Sequence, residues 1–362
     1  MFLFFRKESL NSIFAQTVFI FSLIYTSVSI FSYSIFNSKI PSFFGIPRFN
    51  PHLTYGDLRS PTHSSGCGLD MSLMRTVQDN CDPWNRPANF PKFLLNIYRS
   101  FGVDSSSTDL IGALFGFIFI IGIIFFIFKY IDNKILKYWI SSICILCWPS
   151  QLVIERGNFD SIVFIWCLIL LDLVSSYLIK RKNKYIFLIT IFTFLPVSIK
   201  FFPILGILPL CFINIFIFRK ERSLFYIILL TSIFAIIFQI SDLKNTLLTV
   251  KDYSFATGIQ TFGFLSLYQD IHLKSITVLF IFLKIFLIVG TAINTYWGFL
   301  KKLRSPKNNF IFINFANTQI GLFFMLNIIL TYFVFSNYDY RMIFAIGMIP
   351  FFISIWEYIP KK

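Results

Sequence analysis

The chain has 362 residues, of which 56% are apolar, 20% aromatic and only 14% charged, with a formal net charge of +15. Soluble domains carry about a quarter charged residues, so a water-soluble globular fold is excluded and a membrane-embedded one is expected. The basic excess lies in short segments between apolar runs rather than on an aromatic-interleaved surface, which argues for topology signals and against a nucleic-acid partner.

A hydrocarbon layer takes about 20 apolar helical residues to cross. By that measure about ten spans are expected, at 13–33, 110–129, 137–153, 161–179, 185–198, 202–218, 224–240, 275–298, 310–335 and 342–358. The first run is long for a signal peptide and lacks a small-x-small cleavage site, so it reads as a retained span. The short pair 185–198 and 202–218 shares a Pro-interrupted turn and reads as a broken or re-entrant hairpin. The expected fold is all-α: one membrane domain over 1–362, a polytopic transmembrane bundle with a long first extracytoplasmic loop at 34–109 and a second at 241–274.

Arg6, Lys7, Lys129, Lys134, Lys137, "KRKNK" from Lys180, "RKER" from Arg219, "KKLRSPK" from Lys301, and Lys361 and Lys362 then fall on one side, the cytoplasmic side by the positive-inside rule. Both termini are expected inside, in a bacterial inner or plasma membrane. The opposite connections deliver carboxylates, amides and cations to the outer face.

The first outer loop is too long to be a turn. It holds Asp57, Asp70, Asp79 and Asp82, and a short amphipathic helix from Pro91 to about Phe101, closed by Gly102. Phe93, Leu94, Ile97 and Phe101 are expected on its apolar face, laid on the membrane interface. A loop carboxylate near the bilayer can act as a general base; Asp57, just after Tyr55-Gly56, is the preferred one, although any single loop aspartate can equally be a solvated turn residue. Cys67 and Cys81 share this loop and are able to pair if it faces an oxidising compartment.

"ERGNFD" sets Glu155, Arg156, Asn158 and Asp160 at a membrane boundary, where charge is costly unless paired. A Glu155–Arg156 or Arg156–Asp160 pair accounts for part of this cluster and leaves Asn158 unexplained. Lys200 lies between Pro196 and Pro203 within a long apolar stretch and needs an anion, a carboxylate or water, or else snorkels to the interface. Asp339 and Arg341 fall in "NYDYR", where Arg suits phosphate through its planar fork; an Asp339–Arg341 pair is the plainer alternative. The three histidines are scattered, so a metal is not indicated.

Taken together, "YGDL", "NRPANFP", "RGNFD", "KFFP" and "NYDYR" resemble the GT-C class of integral membrane glycosyltransferases, in particular the polyprenyl-phosphate-dependent, mannosyltransferase-like family 87. The chain departs from that pattern at Gly157-Asn158, where the family often has Gly-Gln, and at Asn89-Phe90-Pro91, where it has an aromatic-Pro-Pro. The resemblance implies an inverting sugar transfer from a polyprenyl-phosphate donor to a lipid or glycan acceptor, with no cofactor. Asp57 would be the base, Lys200 and Arg341 would hold the lipid phosphate, and Asp70, Glu155, Arg156, Asn158, Asp160 and Asp339 would line the substrate. A transporter or lipid flippase, and an O-antigen polymerase or ligase, remain alternatives.

Overall fold

The computed structural model describes residues 2–36, 55–66, 91–200, 202–217, 222–240, 261–262, 311–334 and 337–358. In chain order these form α1 (Phe2–Phe36), α2 (Gly56–Gly66), α3 (Lys92–Ser100), a 3-10 turn (Ser105–Ser107), α4 (Thr108–Tyr130), α5 (Lys134–Leu146), α6 (Trp148–Arg156) and α7 (Asp160–Lys180). There follow α8 (Lys184–Ile199), α9 (Ile204–Ile217), α10 (Arg222–Phe238), β1 (Thr261–Phe262), α11 (Ile311–Val334), β2 (Asn337–Tyr338), a 3-10 helix (Asp339–Met348) and α12 (Ile349–Tyr358). Extended pairing among the described residues is confined to β1 and β2, antiparallel, with Thr261 opposite Tyr338 and Phe262 opposite Asn337.

Among the described residues three stretches are long and apolar enough to cross a membrane, Asn11–Phe31, Ser105–Tyr130 and Asp160–Lys180. They coincide with three of the expected spans. Shorter apolar helices, Lys184–Ile199, Ile204–Ile215, Arg222–Phe238, Asn317–Thr331 and Met342–Ser354, stand where five more were expected. The expected span 275–298 and most of the loop 241–274 lie outside the described residues.

The chain divides into two compact units: Met1–Trp166 with Gln239–Asp252, and Cys167–Phe238 with Tyr253–Lys362. In the first, α1 packs on α4 and α5. Its buried positions are Ala15, Phe19, Ser22, Thr26, Ser29 and Ile30, a spacing of three and four, while Ile13, Phe14, Ile20, Phe21, Ile24, Val28 and Phe31 are more than half exposed. Small and hydroxyl side chains inside with large apolar ones outside is the reverse of a water-soluble helix. It is the pattern expected where the surrounding solvent is hydrocarbon and helices meet through small residues. The buried hydroxyls of Ser22 and Ser29 donate to the carbonyls of Val18 and Tyr25 one turn back, so neither is left unsatisfied.

The expected span 137–153 is corrected to two helices. Cys147 is at once the C-cap of α5 and the N-cap of α6, in extended conformation, and Pro149 opens α6. Proline brings no amide hydrogen to the Ile145 carbonyl four residues back. That carbonyl instead accepts from Gln151 Nε2 at 2.7 Å, and the Cys144 carbonyl accepts from Ser150 Oγ at 2.5 Å. Gln151 Nε2 also reaches Thr26 Oγ1 of α1 at 3.2 Å. The break survives in an apolar setting because side chains stand in for the missing amides.

One end of this unit carries a collar of lysines over aromatic rings. Lys137 Nζ lies 5.3 Å from the Phe128 ring centre, and Lys129 Nζ lies 5.8 Å from Phe125 and 5.7 Å from Tyr130. Phe19, Phe128 and Tyr138 cluster there in tilted and edge-on contacts, with centroids 5.5–5.8 Å apart. Cations and aromatic rings gathered at one level are what a membrane–water interface selects. α4, with 23 residues, runs about 34 Å from that collar to the other end.

In the second unit α8, α9 and α10 pack together, and α11 packs on α9, the 3-10 helix and α12. Amides fix these contacts. Asn214 Nδ2 donates to Gln319 Oε1 at 2.7 Å, Asn317 Nδ2 to Ser354 Oγ at 2.7 Å, and Asn327 Nδ2 to the Phe202 carbonyl at 3.1 Å. The expected span 342–358 begins not as α-helix but as the 3-10 helix Asp339–Met348.

Candidate functional site

The end of the first unit opposite the lysine collar gathers the termini of four elements. α6 closes there with Gly157 in the left-handed region, φ 59°. The Asn158 amide donates to the Val153 carbonyl and the Gly157 amide to Ile154, both at 3.1 Å, the paired bonds of a Schellman cap. Glycine is required twice over at 157, because a Cβ there would also stand 3.0 Å from the Tyr55 ring and 3.3 Å from Leu58.

Tyr55 is the residue that locks the outer segment to this cap. Its amide donates to the Glu155 carbonyl at 2.8 Å, and its hydroxyl donates to the Ile30 carbonyl of α1 at 3.3 Å. The ring is fully buried and lies on Gly112 of α4, where any side chain would collide with it. Tyr55 itself sits at φ 54°, unusual for a residue with a Cβ. This anchoring sets the start of α2, and Asp57 falls in its first turn, where the helix dipole favours a carboxylate.

Asp57 is held at both oxygens. Arg156 Nη2 donates to Oδ1 at 2.8 Å, and Asn158 Nδ2 donates to Oδ2 at 2.6 Å. Asn158 faces two ways, because its Oδ1 accepts from the Asp160 amide at 2.8 Å and so caps α7. That second bond fixes which end of the amide points at Asp57. Asn158 is buried, whereas the Asp57 and Arg156 side chains keep 21% and 27% of their surface open. The result is a carboxylate of fixed orientation at a surface that a ligand can reach.

Sequence left Arg156 to pair with Glu155 or Asp160; the structure gives it Asp57, 99 positions away. The Glu155 carbonyl serves Tyr55, its side chain being half-buried, and Asp160 is fully buried in the first turn of α7. Asp70, Asp79, Asp82, Cys67 and Cys81 lie outside the described residues.

The expected helix at Pro91 is found as α3, with Pro91 as N-cap and Gly102 at φ 65° just beyond. Leu94, Leu95 and Tyr98 are the buried residues, Tyr98 lying 6.0 Å from the Phe159 ring, while Phe101 is 80% exposed. α3 packs on α2. Burial pushes the Tyr98 hydroxyl far above the ordinary tyrosine range. α2 is tied to α4 by Arg59 Nη2 on Asp109 Oδ1 at 3.2 Å and by Thr62 against Thr108 at 2.6 Å. The loop then returns through Ser65 Oγ on the Val103 carbonyl and Arg99 Nε on the Ser65 carbonyl.

Lys200, Asp339 and Arg341 belong to the second unit. Lys200 is the extended C-cap of α8 and half-buried. Two residues on, Phe202 meets Phe344 edge to face at 5.2 Å, so the Lys200 segment packs against the 3-10 helix whose first turn carries Asp339 and Arg341. The β1–β2 ladder joins part of the 241–274 segment to the start of "NYDYR". Between α8 and α10 lies an apolar cleft of about 580 Å³, lined by Thr190, Phe194, Leu230 and Phe234 among others. Among the described residues no three of His, Cys, Asp and Glu come together as metal ligands.

No family model, no curated protein and no solved structure matches this chain.

Proposed function

We propose that this protein is an integral membrane glycosyltransferase of about ten spans, moving a sugar from a polyprenyl-phosphate donor to a lipid or glycan acceptor at the extracytoplasmic face. The observation that carries the reading is the doubly held, partly open Asp57 at the end of its unit opposite the lysine–aromatic collar. If the collar marks the cytoplasmic interface, Asp57 stands outside, within reach of an acceptor hydroxyl.

In this reading Asp57 takes the hydroxyl proton as the acceptor oxygen attacks the anomeric carbon. The bond from that carbon to the lipid phosphate breaks on the opposite side, inverting the centre, and the phosphate leaves with the electron pair. The cations of the second unit that suit a phosphate are Lys200 and Arg341. The apolar cleft lies along the middle of α8, the helix that ends at Lys200, and suits a lipid chain. Near Asp57, the half-buried Glu155 is the candidate for a sugar contact, whereas Asp160 is fully buried.

A transporter or flippase is the second reading, favoured by the helix break at Cys147. The carbonyls freed there are already taken by Ser150 and Gln151, which argues against a substrate site at that break.

The test is transfer of radiolabel from polyprenyl-phosphate sugars by membranes containing the protein. Asp57→Asn is expected to lose about 10²–10⁴-fold of the activity, as removal of a general base does. Equal transfer by Asp57→Asn and the parent chain would take Asp57 out of the mechanism.

A further inference from the structure

We infer that Asn158 is a positioning residue for the proposed base: it aims the Asp57 carboxylate and makes no contact of its own with sugar or lipid. Asn158 has little surface to offer a substrate, being 3% exposed. Its Oδ1 accepts from the Asp160 amide at 2.8 Å, and its backbone carbonyl accepts from the Ser161 amide and hydroxyl. Both acceptor oxygens are thus engaged inside the protein. The donor end of the side chain goes to Asp57 Oδ2 at 2.6 Å.

The torsion that turns an aspartate carboxylate is soft and roughly two-fold. A carboxylate held at one oxygen can therefore still rotate. Arg156 supplies one hold, Nη2 on Oδ1 at 2.8 Å, from a long side chain that is 27% open. Asn158 supplies the other from a buried side chain whose far oxygen is fixed to the start of α7. Two donors from the α6–α7 junction, one on each oxygen, then define the carboxylate plane. An asparagine suits this place because it carries an acceptor and a donor on one short group; aspartate lacks the donor, and serine has a single oxygen. The aim matters to a base, since a misplacement of about 1 Å in a reacting group can lower a rate about 10²-fold. The inference rests on the transfer reading for this kinetic part, while the orientation of Asp57 is measurable without turnover.

The experiment compares the full-length parent with Asn158→Ser and Asn158→Ala in membranes, below the unfolding temperature of each. Serine keeps a capping oxygen for α7 and alanine does not; neither holds Asp57 Oδ2. A purely structural role would spare Asn158→Ser. A positioning role is expected to lower kcat about 10–100-fold in both variants, with KM for the polyprenyl-phosphate sugar within about twofold of the parent. In an Asp57→Asn background neither substitution should lower the rate further, because the group it acts through is gone. Infrared spectra of protein carrying isotope-labelled aspartate give the reading without turnover. The Asp57 carboxylate stretch, recognised as the band that Asp57→Asn abolishes, is expected to shift in both variants. Parent-like kcat in Asn158→Ser, a raised KM at unchanged kcat, an added loss on top of Asp57→Asn, or an unshifted band overturns the proposal. Should the parent itself transfer no sugar, a shifted band upholds the aiming of Asp57 and the transferase reading falls, whereas an unshifted band removes both.

Discussion

Asn158 does two jobs with one short amide. It caps α7 through Oδ1 and holds the Asp57 carboxylate through Nδ2. These can be separated by substitution. Asn158→Ser keeps a capping oxygen and drops the contact with Asp57; Asn158→Asp keeps the cap but sets carboxylate against carboxylate at 2.6 Å. Thermal unfolding of the purified protein should show both variants destabilised, with Asn158→Asp losing more. Gly157→Ala should cost at least about 1 kcal/mol, since the left-handed backbone resists a Cβ and Tyr55 leaves no space for one. A Gly157→Ala protein as stable as the parent would contradict that description of the cap. Sequence picked out Asp57 and the "ERGNFD" cluster as separate points on one face. It had no means of joining them, because the bond spans 99 positions and depends on Tyr55 docking on a helix end that no local pattern announces. Tyr55 was missed as an anchor; its signal was only its place before Gly56 and Asp57.

At the scale of elements, hydropathy located apolar runs but not their internal breaks. The stretch 137–153 has the length of a span, and Pro149 was visible in it, yet the cut falls at Cys147. Ser150 and Gln151 make it sustainable by bonding the Cys144 and Ile145 carbonyls. Gln151→Leu removes the donor to the Ile145 carbonyl inside an apolar core and should destabilise by about 1–3 kcal/mol, read as a lowered unfolding temperature. The α3 helix was legible in its ends, set by Pro91 and Gly102, while its packing on α2 was not. Between these elements Asp104 caps the Ser105–Ser107 turn. Its carboxyl is held below the usual carboxylate range first by the Ser106 hydroxyl and then by the Ser106 amide. A lowered folded-state value means the cap is in force above the ordinary carboxylate range, around pH 3.9, and fails as pH falls through the lowered one. The protection of the Ser106 and Ser107 amides, taken relative to the intrinsic exchange rate at each pH, should therefore hold at neutral pH and fall on acidification below that range.

At the scale of the molecule, composition settled the all-helical, apolar character, because scarce charge and long apolar runs admit few other solutions. The structure adds the inverted surface of α1, apolar outside and hydroxyl-lined inside, and the lysine–aromatic collar at one end of the first unit. The site's place beyond the cytoplasm depends on which end of that unit faces which compartment. Asn96 on α3 and Lys182 after α7 are both exposed, and neither takes part in the hydrogen bonds of the Asp57 cluster. Single cysteines at these two positions, in a background cleared of native cysteines, can be labelled with a membrane-impermeant thiol reagent on intact cells. The account predicts that Asn96→Cys reacts at once and that Lys182→Cys reacts only after the membrane is opened. The reverse order would put Asp57 on the cytoplasmic side and contradict transfer at the outer face.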